Sequence, residues 1–106
     1  MEKKELKQVV QATLERLANL SFAEAEAFVA PVQEHYGVPD MEDFCQVDIR
    51  LLEKNVDETG EWLKLIVSAN DGKGIFGIVR NVTGGLAVYR SGVTEIFPPE
   101  DKGLGA

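Results

Sequence analysis

The chain contains one cysteine, one histidine and one tryptophan in 106 residues. A lone cysteine, Cys45, excludes an intrachain disulfide, and a reducing cytoplasmic location is the expectation that follows. A lone histidine, His35, leaves at most one Cys/His nucleophilic pair and no histidine-rich metal site. No apolar run approaches the ~20 residues of a membrane span, so no membrane-spanning helix is expected. The N-terminal stretch MEKKELKQ is charged, unlike the apolar core of a signal peptide. Positive charge is also in deficit: the net charge is -7. Residues 21–61 hold eleven acids against Arg50 and Lys54 alone. That region repels phosphate backbones and anionic lipid, so neither nucleic acid nor a membrane surface is an expected partner.

What is present is apolar periodicity. In Trp62–Val82, Leu63, Leu65, Val67 and Ala69 alternate with Trp62, Lys64, Ile66 and Ser68, which predicts a strand with one wholly apolar face. Asn70-Asp71-Gly72-Lys73-Gly74 offers residues that tolerate a reversal. Ile75, Ile78, Val79 and Val82 are β-branched. These residues predict a central hairpin of two apolar strands.

Leu6, Val9, Val10, Thr13, Leu14 and Leu17 follow helical spacing and predict a first helix over 2–20. Ser21-Phe22-Ala23-Glu24 matches a capping box and predicts a second helix from Ser21 toward Tyr36, interrupted near Pro31. Phe44–Glu53 alternates as a strand, with Cys45, Val47, Ile49 and Leu51 on one face and Phe44, Asp48, Arg50 and Leu52 on the other. Asn55–Gly60 reads as a turn and Thr83-Gly84-Gly85 as a further reversal. Residues 86–97 read as one bulged strand or two, and Pro98-Pro99 as the end of the domain, with 98–106 a mobile tail.

The expected fold is a single α+β domain over 1–97: an N-terminal helical hairpin packed on one face of an antiparallel meander of four or five strands. This layout resembles cystatin-like and NTF2-like architectures. The resemblance is of layout and carries over no residue and no activity.

No motif rises to a specific chemistry. Gly72-x-Gly74-x-x-Gly77 matches the dinucleotide pattern, but a β-branched run follows where a phosphate-binding helix is needed. Asn55-x-Asp57-x-Thr59-Gly60 opens like a calcium loop, but Ile66 stands where the bidentate glutamate belongs. Asp40, Glu42 and Asp43 read as solvated carboxylates, so no metal or cofactor is expected. Cys45 shares its face with Val47 and Ile49 and reads as a small core hydrophobe rather than a nucleophile.

One surface stands out. Two helices cover one face of such a sheet and no more, so the opposite face should be polar. It instead carries Trp62 and Ile66, with Phe44 and Leu52, among Arg50 and Lys64. An aromatic and aliphatic patch in a charged surround is the character of an interface. The expected function is a small acidic interaction module that forms a homodimer through this face or a sheet edge. Binding of a small apolar ligand between helices and sheet is the alternative.

Overall fold

The computed structural model describes residues 3–28, 32–36, 45–58, 60–70, 74–75, 78–79 and 81–101. Two helices, α1 (Lys3–Leu17) and α2 (Phe22–Glu26), precede β1 (Val32–Tyr36), β2 (Cys45–Asp57), β3 (Gly60–Asn70), β4 (Gly74–Ile75), β5 (Ile78–Val79), β6 (Val82–Tyr89) and β7 (Thr94–Asp101). The main sheet is antiparallel in the order β1-β2-β3-β6-β7, and β4 and β5 pair as a separate two-stranded ribbon. The fold is α+β, as the sequence periodicity implies.

The core lies between α1 and one sheet face. Leu6, Val10, Leu14 and Leu17 are buried on a single helical stripe against Val47 and Ile49 of β2, Leu63, Leu65 and Val67 of β3 and Leu86 and Val88 of β6. Thr13 is the one buried polar residue of that stripe, and its hydroxyl donates to the Val9 carbonyl at 2.8 Å. The hydroxyl thereby avoids the cost of an unmade bond. Gly84 lets the helix come this close. A Cβ placed there would lie 2.8 Å from Leu14 Cδ1 and 3.1 Å from Val10 Cγ1.

The capping box forms as read from the sequence. Glu24 N–H donates to Ser21 Oγ at 3.2 Å, and Ser21 N–H donates to Glu24 Oε1 at 3.0 Å. That backbone donor holds the Glu24 carboxyl below its ordinary pKa. The bond's contribution is therefore complete above the ordinary carboxylate value and lost as pH falls through the lowered one. Ser21→Ala is expected to cost about 1 kcal/mol in a urea titration. The Lys54–Glu26 ion pair ties α2 to β2.

Four expectations are corrected. The second helix ends at Glu26, and residues 32–36 form an edge strand. Val32 pairs with Ile49 and Tyr36 with Cys45, so sheet pairing outweighs the helical reading of that stretch. Pro31 lies outside the described residues. Second, β3 pairs with β6 from Val82 onward, while Ile75, Ile78 and Val79 belong to the separate β4-β5 ribbon. Gly84 and Gly85 sit inside β6 rather than at a reversal, and the first serves helix approach.

Third, β2 continues to Asp57, with a register shift between Leu51 and Glu53, so Asn55, Val56 and Asp57 belong to the strand, and β3 begins at Gly60, whose φ is 113°. Fourth, β7 runs through Pro98-Pro99 to Asp101, so the sheet extends beyond residue 97. Thr83 faces Glu100 and Gly85 faces Phe97, so both prolines oppose Gly84 alone in a bulge on an edge strand. That is where a residue without an N–H is tolerated. Residues 86–97 resolve into two strands about a turn at Arg90-Ser91-Gly92, with Gly92 at φ 97°.

Candidate interaction face

The sheet face away from α1 is assembled in levels by strand pairing, because directly opposed residues project to the same side. At one end, Asn55, Trp62 and Tyr89 share a level across β2, β3 and β6. Next come Glu53, Lys64, Ala87 and Glu95 across β2, β3, β6 and β7. Then come Arg50, Ile66, Gly85 and Phe97. Beyond these the face turns polar, with Ser68 and Thr83 hydroxyls 3.1 Å apart.

Of the six residues singled out from the sequence, Trp62, Lys64, Ile66 and Arg50 come together here. Leu52 does not join their ladder. It is the extra residue of the β2 register shift, 53% exposed and without a cross-strand partner in β3. An alternating strand cannot absorb an added residue without breaking its two-residue period, which is why Leu52 leaves the row of Arg50. Phe44 lies outside the described residues.

Tyr89, Phe97, Ala87 and Gly85 belong to the face and were missed. Their signal was the alternation of 86–89 and 94–97 about Ser91-Gly92, hidden once Gly84-Gly85 had been read as a turn. The rings of Trp62 and Tyr89 stand 6.0 Å apart at 32°, a tilted pair worth about 0.5–1.5 kcal/mol beyond its buried area. Lys64 places its ammonium 5.2 Å from the centre of the Phe97 ring. Its stem passes over Gly85, where a Cβ would lie 3.7 Å from Lys64 Cε and 3.5 Å from Phe97 Cδ2. Phe97 remains 39% exposed. Asn55 Nδ2 and Trp62 Nε1 are shielded from solvent with no hydrogen-bond partner. A donor left unpaired in this way costs roughly 1–3 kcal/mol.

No family model, curated protein or solved structure matches this chain. The reading of function therefore rests on the geometry of its own residues. His35 pairs with Gln46 while Cys45 pairs with Tyr36, so the two projected nucleophile partners occupy opposite faces of the sheet. Cys45 is fully buried among core residues, and its thiol lies 3.9 Å from the Gln46 carbonyl. It is expected to react with a thiol reagent far more slowly in the native protein than after denaturation, because burial disfavours the thiolate. Faster reaction than free cysteine, lost on His35→Ala, would contradict this placement.

Among the described residues no group of three His, Cys, Asp or Glu converges as a metal site. Asp40, Glu42 and Asp43 lie outside them. No helix of the described residues is long and apolar enough to cross a membrane.

A concavity of about 240 Å³ is lined by Val9, Ala12, Thr13 and Arg16 of α1. Its two polar side chains are engaged, Thr13 with the Val9 carbonyl and Arg16 with Glu34 at 2.7 Å.

Proposed function

We propose that this chain is a small, acidic, soluble interaction module that self-associates as a homodimer through the open face of its sheet. The observation that carries the reading is the set of Trp62, Tyr89, Ile66 and Phe97 on the sheet face that no helix of the described residues covers. Such a patch costs solubility in a monomer and is stabilised when a partner removes it from water, at about 25 cal/mol per Å². Arg50, Glu53 and Glu95 flank it as polar residues flank an interface core, and Lys64 stands between its two apolar levels with its stem over Gly85.

The face is favoured over the sheet edges as the route of association. The β7 edge is broken by the Pro98-Pro99 bulge, and β1 offers five described residues. Both features blunt strand addition. For the alternative, a small-ligand site, the described residues offer the α1 concavity, which is lined by the helix and not by helices and sheet together. That space is below the about 300 Å³ of usual ligand pockets, and its polar groups already have partners.

The test is solution mass by light scattering across protein concentration. The proposal expects a transition from the 11.7 kDa of one chain to twice that value. A mass of one chain at every concentration would remove it.

A further inference from the structure

The two helices are held to the sheet by different means. α1 buries Leu6, Val10, Leu14 and Leu17 in the core. Of α2 only Ala25 is buried, and Phe22 and Phe28 pack partly covered against the margin of that core. A helix of five residues is too short to sustain itself, so its order depends on what it touches.

Much of what it touches is charged. Lys54 opposes Leu63 on the helix-covered face of the sheet, and Glu61 lies one level further along the same face. Lys54 Nζ reaches Glu26 Oε2, on the last residue of α2, at 2.5 Å. That hydrogen bond holds the Glu26 carboxyl below its ordinary pKa and the Lys54 ammonium above its own. Arg90 donates to Glu61 Oε2 from Nε at 3.3 Å and from Nη2 at 3.1 Å. The same guanidinium lies 4.9 Å from the centre of the Phe22 ring, on the first residue of α2. A cation therefore holds each end of the helix, one through a carboxylate and one through a ring. Just beyond, the Leu51 N–H donates to the Phe28 carbonyl at 3.2 Å.

We infer that residues 21–28 form a strap, clasped to the sheet by Lys54 and Arg90, that opens as a unit while the rest of the domain stays folded. Segments that open alone are those with few buried contacts and exposed bonds. Opening lifts Phe22, Ala25 and Phe28 from the core margin and uncovers an apolar surface on the helix side of the sheet. That side is opposite the open face, so the strap does not depend on self-association. The Lys54 and Arg90 side chains are 49% and 64% exposed. Salt screens charges placed in this way, whereas it does not screen the burial that holds α1. The strap is thus a latch set by ionic strength, closed at low salt and open more often as salt rises.

The test is native-state amide exchange, read by NMR in sodium chloride from about 0.01 M to about 1 M, over which the screening length falls from ~30 Å to ~3 Å. The probes are the amides of Ala25, Phe28 and Leu51, which donate to the carbonyls of Ser21, Ala25 and Phe28. Leu51 belongs to β2, so its exchange reports loss of the tie and not of its strand. Leu65 and Val67 of β3, fully buried, are the reference. The three probes are expected to exchange faster than the reference and together, and to accelerate relative to it by roughly two- to five-fold across the salt range. Lys54→Met keeps the stem and removes the charge. It is expected to accelerate the probes already at low salt and to blunt their response to added salt. Probes that exchange no faster than Leu65 and Val67 would overturn the strap. Independent opening that neither salt nor Lys54→Met changes would overturn the ionic clasp.

Discussion

Leu14→Ala is expected to destabilise the fold by about 2–5 kcal/mol, the range for a fully buried leucine whose cavity cannot collapse. Leu14 is completely buried where α1 crosses the sheet, and its Cδ1 closes over Gly84. The same contact predicts a coupling. Gly84→Ala alone should destabilise by roughly 1–3 kcal/mol, because its methyl meets Leu14 Cδ1 at 2.8 Å in a packed core. In the Leu14→Ala background that atom is gone and the methyl enters the vacated space. The cost of Gly84→Ala should then fall without vanishing, since Val10 Cγ1 and the Phe97 carbonyl remain at 3.1 Å. A double-mutant cycle by urea unfolding reads the difference directly. Strict additivity would show that α1 does not press on Gly84.

Trp62→Ala is expected to weaken self-association by roughly 2 kcal/mol or more while leaving a folded monomer. Large aromatics carry much of an interface's energy, and Trp62 stands beside Tyr89 as one of the two largest rings of the patch. The monomer loses the ring pair, about 0.5–1.5 kcal/mol, but no core contact on the α1 side. Its unfolding should stay cooperative. Loss of folding at every protein concentration would instead identify Trp62 as monomer core.

The parts of this architecture that the sequence made legible are those in which one period governs a long stretch. The stripe Leu6–Leu17 and the alternation Leu63–Ala69 appear in the structure as read. So does the Ser21 capping box, because its two bonds are local. The parts that were not legible turn on pairing between distant residues. Val32–Tyr36 has no strand signal of its own strong enough to displace a helical reading, and becomes a strand by lying along Cys45–Ile49.

Gly84 and Gly85 carry the composition of a turn but serve the approach of Leu14 and the passage of Lys64. Pro98 and Pro99 look like a stop and are accommodated in an edge bulge. The site shows the same division. Trp62, Lys64 and Ile66 were evident from one strand's alternation. Tyr89 and Phe97 required the register of β6, and Leu52 was displaced by a bulge that no local pattern announced.

Because Trp62 is the chain's single tryptophan, its fluorescence reports on the open face and nothing else. The most direct measurement is tryptophan emission and its quenching by iodide, followed across protein concentration alongside solution mass. The account predicts that emission shifts to the blue and quenching falls in step with the doubling of mass. Emission and quenching that stay constant while the mass doubles would place the contact elsewhere on the molecule and contradict it.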